Sequence, residues 1–131
     1  MIIMEFYGID VSHYQGNIDW NAVAKTGINF AFVKAGGSED GIYTESMFEK
    51  NYAGAKAAGL NVGAYYFPGP NFTSEEAGIA DARRFLDIIA GKKFEMPVAI
   101  DLEGTEPEDK DGATVATIAF CKAVSYTHLR A

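Results

Sequence analysis

Three glycines, Gly27, Gly59 and Gly91, recur every 32 residues along this chain of 131 residues. Each glycine follows an amphipathic stretch and comes a few residues before a short apolar run. This is the position of the residue that ends a helix, where glycine adopts the left-handed backbone conformation without the steric cost that other residues bear. The spacing therefore predicts a repeated unit in which a helix ends, a glycine follows and the next strand begins.

Apolar runs and amphipathic stretches alternate along the chain, which predicts an α/β fold with successive βα units and a parallel sheet. With 131 residues and 48% apolar composition, the chain can bury one hydrophobic core but is too short for two ordinary domains. The pattern divides into four βα units. The predicted strands cover residues 6–11, 29–35, 61–67 and 97–103, and the predicted helices cover residues 20–25, 44–58, 74–90 and 113–124.

The composition argues against several classes of function. A formal net charge of -7 disfavours a nucleic-acid partner, because phosphate binding requires clustered lysine and arginine. No apolar run approaches the roughly 20 residues needed to cross a bilayer, so we expect no membrane insertion. Cys121 is the only cysteine, which rules out an intramolecular disulfide and a two-cysteine metal motif. We expect neither a metal site nor a cofactor.

Two carboxylates, Asp101 and Glu103, stand at alternate positions at the end of an apolar run. Residues two apart on a strand share one face of the sheet. The run begins after Pro97 and stops at Gly104, so the pair is expected where a buried strand meets its following loop. Folds of the α/β class build their active sites at such strand ends, and the pair is therefore a candidate for catalysis.

The same alternation turns a polar or aromatic residue inward at the end of each earlier strand. Asp10 on the first strand, Lys34 on the second and Tyr65 on the third would gather with Asp101 and Glu103 at one mouth of the sheet. A carboxylate cluster raises the pKa of one member, which suits a glycosidase that needs a protonated acid beside an ionised carboxylate. The same cluster also suits a Mg²⁺ site, and spacing alone does not choose between these possibilities.

The first strand and its loop resemble the N-terminal signature of glycoside hydrolase family 25 lysozymes, with GIDVSHYQG at residues 8–16 and IDW at residues 18–20. Three further motifs follow in the family's order and at similar separations. They are FVKA at residues 32–35, GAY within residues 59–66 and DLE within residues 97–103. The resemblance covers residues 6–120, and the four motifs together make it specific.

This resemblance implies a TIM-like (β/α) barrel, of which the chain holds about the first four βα units. It also implies hydrolysis of the β-1,4 bond between N-acetylmuramic acid and N-acetylglucosamine in bacterial peptidoglycan, without a cofactor. Such an enzyme acts outside the cytoplasm on the cell wall, either secreted or released by a phage. The sequence shows no signal peptide, and this does not decide between the two routes.

Matched by motif, Glu103 resembles the general acid of the family. Asp101 would then stabilise the 2-acetamido group or the oxocarbenium charge, and Asp10 would support the pair through hydrogen bonds. Residues i and i+2 on a strand lie about 6.5 Å apart, between the carboxylate separations typical of retaining and inverting glycosidases. The sequence therefore leaves the stereochemistry open, together with the choice between a covalent intermediate and help from the acetamido group.

Four further residues are candidates for substrate binding. Tyr65 is expected to stack on a sugar ring, although an aromatic residue at this position also suits plain core packing. Lys34 suits contact with substrate or with an active-site carboxylate, or extension of its ammonium group into water. Tyr14 and Gln15 lie in the first βα loop, where they are expected to rim the groove, and Gln15 equally suits bracing of the loop.

The chain stops after four predicted strands, whereas the family's domain continues. We expect a partial catalytic domain over residues 1–124 and a tail over residues 125–131 that resembles translated adapter sequence and lies outside the family. Open barrel edges would favour self-association. Two alternatives to a working muramidase are an inactive fragment with residual glycan binding and a Mg²⁺-dependent phosphohydrolase. The second lacks a glycine-rich phosphate loop before a helix.

Overall fold

A computed structural model of the chain describes residues 4–128. Strands and helices alternate along it, as the sequence predicts, and the chain has an α/β fold. The strands are β1 (Gly8–Val11), β2 (Phe30–Gly37), β3 (Tyr43–Thr44), β4 (Asn61–Phe67) and β5 (Ala99–Ile100). The helices are α1 (Trp20–Ala24), α2 (Phe48–Ala57), α3 (Glu75–Ile89) and α4 (Lys110–His128), with short 3₁₀ turns at His13–Gln15 and Pro107–Asp109.

The strands form one sheet in the order β1-β2-β4-β5, and β3 pairs with β2 as a short antiparallel addition. Strands β1 and β2 are parallel, with Asp10 opposite Phe32. The N–H of Asn61 donates to the carbonyl of Asn29, and that of Ser38 donates to the carbonyl of Phe67, so β2 and β4 also run the same way. Within residues 4–128 the sheet ends at β1 and β5. Self-association through these two edges stays a prediction.

The predicted helix-ending glycines are confirmed. Gly27, Gly59 and Gly91 have φ values of 91°, 84° and 74°, in the left-handed region that favours glycine. Each lies between the end of a helix and the following strand. The 32-residue spacing of these glycines is therefore the length of one βα unit.

The differences from the predicted element bounds that matter most concern β5, α2 and α4. Strand β5 ends at Ile100, so Asp101 and Glu103 lie in the loop after the strand and not on it. Residues 43–44 form β3, and α2 begins only at Phe48. Helix α4 continues to His128, past the predicted helix end at Val124. The predicted domain boundary at residue 124 lies inside this helix and stays a prediction.

The described chain divides into two compact units. The first unit is built from residues 4–34 together with Glu45–Tyr65 and Lys93–Ala99. The second unit is built from Ala35–Thr44, Tyr66–Lys92 and residues 100–128. Strands β2 and β4 therefore each contribute residues to both units.

In the first unit, alternation along β2 and β4 separates a buried face from a more open one. Ala31, Val33, Val62 and Ala64 are fully buried on one face, whereas Phe30 and Phe32 on the other are only half-buried. A Cβ atom on Gly8 would lie 2.0 Å from the Phe30 ring, and one on Gly63 would lie 2.6 Å from the Phe32 ring. The two glycines and the two phenylalanines thus share the more open face.

The core of the second unit is an aromatic cluster between β4, α3 and α4. The ring of Phe120 lies 5.6 Å from that of Tyr66, 5.7 Å from that of Phe85 and 6.1 Å from that of Phe72, measured between centroids. All four side chains are at most 2% exposed. This packing fixes β4 against the two helices of the unit.

Candidate active site

The loop after β1 is closed by reciprocal hydrogen bonds. The hydroxyl of Ser12 accepts a hydrogen bond of 3.2 Å from the N–H of Tyr14, and Oε1 of Gln15 accepts one of 2.7 Å from the N–H of Ser12. Together they form a capping box around the turn His13–Gln15. Gln15 therefore makes the bracing contact that the sequence left open, and its role in substrate binding stays a prediction.

Glu45, in the segment before α2, is hydrogen-bonded to this loop. Its carboxylate is buried, with 3% of the residue exposed, and it accepts a hydrogen bond from the main-chain N–H of His13. Nδ1 of His13 also lies 2.8 Å from Oε1 of Glu45. The His13 ring stacks on Tyr14 with centroids 4.4 Å apart, and Tyr14 is 82% exposed. The loop thus presents an aromatic ring to solvent on a fixed support.

Asp10, Lys34 and Tyr65 share one face of the first unit. Asp10 stands opposite Phe32 in the parallel register, and Lys34 is two residues further along the same strand. Tyr65 is two residues after Gly63, which closely approaches the Phe32 ring. The register places Asp10 and Lys34 on one side of the sheet, and the approach of Gly63 to Phe32 indicates the same side for Tyr65. Their gathering in one active site stays a prediction.

Asp10, Lys34 and Tyr65 differ in how far they are buried. Lys34 is 6% exposed, so most of its side chain lies away from water, and its role in substrate binding stays a prediction. Tyr65 is half-buried, and its hydroxyl donates a long hydrogen bond of 3.4 Å to the carbonyl of Val11 at the end of β1. Asp10 is exposed. The more open face of the sheet therefore ends in a carboxylate, a buried ammonium group and a phenol.

Asp101 and Glu103 belong to the second unit. The N–H of Asp101 donates a hydrogen bond of 2.9 Å to the carbonyl of Tyr66, which continues the strand pairing one residue past β5. Asp101 is half-buried and Glu103 is exposed. A Cβ atom on Gly104 would lie 2.6 Å from the carbonyl oxygen of Pro68, so the loop packs closely where it leaves the carboxylates. The two acids therefore occupy a loop that is hydrogen-bonded at its first residue and closely packed at Gly104.

Comparison with known proteins gives the family. A model of the family described as Glycosyl hydrolases family 25 matches residues 9–129. The chain is 39% identical to Lysozyme M1 of Streptomyces globisporus over 126 residues, covering 94% of this chain and 38% of the relative. It is 37% identical over 98 residues to the autolytic lysozyme of Clostridium acetobutylicum, covering 75% of this chain and 28% of the relative.

The chain belongs to glycosyl hydrolase family 25. A solved structure of a family 25 glycosyl hydrolase from Bacillus anthracis superposes with a TM-score of 0.69 at 30% identity. That alignment covers 90% of this chain and 56% of the solved chain. This family 25 chain thus spans between about a quarter and about half of the length of these relatives.

Sequence reasoning missed two buried carboxylates of this family 25 chain, Glu45 and Asp81. Asp81 is 3% exposed and lies within the buried stripe of α3, between Gly78 and Phe85. An acidic residue at a core position of an amphipathic helix is a signal that the sequence carries, and it predicts a buried polar contact. Glu45 lies in irregular chain before α2, where no periodic pattern announces burial.

Within residues 4–128, no group of three or more histidine, cysteine, aspartate or glutamate side chains could hold a metal ion. None of the helices described there is both long enough and apolar enough to cross a membrane.

Proposed function

We propose that this family 25 chain hydrolyses the β-1,4 bond between N-acetylmuramic acid and N-acetylglucosamine in bacterial peptidoglycan. The observation that carries the proposal is the Asp-Leu-Glu motif of the family, placed in a fixed loop directly after a sheet strand. Carboxylates just beyond the ends of parallel strands are where barrel enzymes perform their chemistry. Two of the relatives are named lysozymes, which supports the same substrate.

In this proposal Glu103 is the general acid that protonates the leaving oxygen. Its exposure gives access to a polymeric substrate, while the hydrogen bond from the Asp101 N–H to Tyr66 holds the loop in place. Asp101 stabilises the oxocarbenium charge or orients the 2-acetamido group, and Asp10 supports the pair through hydrogen bonds. Two carboxyl groups with distinct environments are what glycoside hydrolysis needs.

Substrate binding is assigned to Tyr65, Lys34, Tyr14 and Gln15. The exposed ring of Tyr14 suits stacking on a pyranose face, and His13 supports it from behind. Lys34 is buried, and burial of an ammonium group costs free energy unless an anionic or hydrogen-bonding group compensates it. This cost favours a place for Lys34 among active-site carboxylates or polar substrate groups.

We also propose that the sheet is part of a TIM-like (β/α) barrel. Strands β1, β2, β4 and β5 follow each other in the sheet in chain order, with a helix after each. This order is the connectivity of a (β/α) barrel, in which every crossover returns to the next position of the sheet.

The proposed function is tested by the release of reducing sugar from purified peptidoglycan, with the product ends identified by mass spectrometry. Glu103→Gln is the test variant, and Glu106→Gln is a matched control that removes an exposed carboxylate from the same region. We expect release that is lost in Glu103→Gln, kept in Glu106→Gln and unaffected by a chelator, with muramic acid at the new reducing ends. Release that persists at the wild-type rate in Glu103→Gln would contradict the assignment.

A second candidate is glycan binding without cleavage, which the exposed Tyr14 ring favours. It predicts co-sedimentation of the folded chain with peptidoglycan and no new reducing ends. Tyr14→Ala should then release the chain from the pellet. Tyr126→Ala, which removes an exposed tyrosine elsewhere in the chain, on α4, should leave the chain in the pellet. Loss of binding in both variants would instead indicate non-specific adsorption.

A further inference from the structure

A buried carboxylate lies in the second unit, away from the residues that the sequence motif identifies. Asp81 of α3 is 3% exposed, and its Oδ2 accepts a hydrogen bond of 2.8 Å from the hydroxyl of Ser38. Tyr66 also interacts electrostatically with this carboxyl group. Burial raises the pKa of Asp81 above its ordinary value, although the two hydroxyl groups offset part of the rise. Asp81 thus joins the residue after β2 to a residue of β4.

The first connection runs from Asp81 through Ser38 to the turn after β4. The hydroxyl of Ser38 accepts a hydrogen bond of 2.9 Å from the N–H of Gly69. A Cβ atom on Gly69 would lie 2.0 Å from the carbonyl oxygen of Ser38, so the two loops touch through their backbones. The preceding residue, Pro68, closely approaches Gly104, which directly follows Glu103. This side of the network therefore ends at the carboxylate loop.

The second connection runs from Asp81 through Tyr66. The hydroxyl of Tyr66 lies 3.1 Å from the carbonyl oxygen of Gly37, and its ring is fully buried against Phe85 and Phe120. The backbone carbonyl of the same tyrosine accepts the 2.9 Å hydrogen bond from the N–H of Asp101. The main chain of Tyr66 therefore holds Asp101 directly.

We propose that Asp81 is a positioning residue that holds the Asp101–Glu103 loop in place through Tyr66 and through Ser38 and Gly69. The effect of Asp81 on catalysis rests on the proposed function, whereas its effect on the position of the loop can be measured without catalysis.

Free-energy considerations support a positioning role over plain core stability. A carboxyl group within the buried stripe of a helix is costly, and a well-packed apolar residue at the same place is often neutral or stabilising. Asp81 is surrounded by apolar positions of α3, such as Gly78, Ala82 and Phe85. What the carboxylate adds there is a directional hydrogen bond with Ser38 and an electrostatic interaction with Tyr66, and both residues lead to the loop of Asp101 and Glu103.

The test measures amide hydrogen exchange by NMR in the full chain. The variants are Asp81→Ala, the conservative Asp81→Asn and the matched control Asp87→Asn, which removes an exposed carboxylate from the same helix. Amides in the middle of α4 report global unfolding. In Asp81→Ala we expect exchange at Asp101 and Gly69 to accelerate about tenfold more than exchange in α4, because the network loses its shared acceptor.

The other variants sharpen the outcome. Asp81→Asn keeps an acceptor for Ser38 and should restore most of the protection, which also keeps the test valid if Asp81→Ala fails to fold. Ser38→Ala should act on Gly69 more than on Asp101, and Tyr66→Phe should do the reverse. Equal acceleration at Asp101, Gly69 and the α4 amides in Asp81→Ala, or an equal effect of Asp87→Asn, would overturn the positioning role.

Kinetics on soluble peptidoglycan fragments separate this inference from the proposed function. If the wild-type chain cleaves, Asp81→Ala should lower kcat about tenfold or more with little change in KM, since misplaced catalytic groups raise the barrier without removing substrate contacts. An unchanged kcat would overturn the catalytic consequence. If the wild-type chain does not cleave, the proposed function fails, and the exchange experiment still decides whether Asp81 positions the loop.

Discussion

The carboxylate of Glu45 accepts a hydrogen bond from the main-chain N–H of His13 and lies 2.8 Å from the imidazole Nδ1 of the same residue. The Glu45 side chain is 1% exposed and that of His13 is 45% exposed, so a buried anion holds a loop residue whose ring still reaches water. The pair ties the loop after β1, which carries the GIDVSHYQG motif, to the start of α2. A residue outside the motif, Glu45, therefore anchors the loop within the motif.

Glu45→Gln should destabilise the chain by about 1 to 2 kcal/mol, because an amide replaces a charged acceptor that serves two donors. Urea unfolding of this variant beside wild type measures the effect. Glu106→Gln, at an exposed position without a side-chain cap hydrogen bond, is the control and should leave the unfolding free energy within about 0.5 kcal/mol of wild type. A stability for Glu45→Gln equal to that of the control would show that the pair contributes nothing.

Asp81 should make the stability of the chain depend on pH with a defined sign. Burial raises its pKa in the folded state above the ordinary value of 3.8, so folding favours the protonated form. Its contribution is fully present below the unfolded pKa and is lost as the pH rises through the folded pKa. The unfolding free energy of wild type minus that of Asp81→Asn should therefore fall as the pH rises above about 4.

Urea unfolding of both proteins across this range measures that difference, and Asp87→Asn serves as the exposed reference on the same helix. A difference that rises with pH would mean that the folded protein stabilises the ionised carboxylate, contrary to the effect of burial.

Gly78 should not tolerate alanine, although it lies inside a helix. A Cβ atom there would lie 2.2 Å from the carbonyl oxygen of Ala116, where α3 packs against α4. Glycine to alanine ordinarily stabilises a helix interior by about 1 kcal/mol, whereas overpacking costs about 1 to 3 kcal/mol. We expect net destabilisation by Gly78→Ala in thermal or urea unfolding. A more stable variant would show that the two helices separate without cost at this point.

The sequence predicted the strand residues of the candidate site better than its loop residues, and the reason is local geometry. Asp10, Lys34 and Tyr65 follow from strand alternation, since successive side chains on a strand point to opposite faces wherever the strand is paired. For Asp101 and Glu103 the sequence predicts a strand, but β5 ends at Ile100. The alternation of apolar and polar residues over 97–103 continues past the point where the strand ends, so the pattern does not show that end.

The sequence by itself determined the repeat, the alternation of strands and helices, and the family, because each of these is recorded in neighbouring residues. Glycines after helices, periodic apolar residues and contiguous motifs all act over a few positions. Only the tertiary structure decided that residues 43–44 pair with β2. It also decided that Glu45 contacts His13, and that Asp81 contacts Ser38 and interacts with Tyr66. The last two contacts join residues at least 15 positions apart in the chain, as the sheet and its helices bring them together. The burial of Glu45 and Asp81 exists only once that packing has formed.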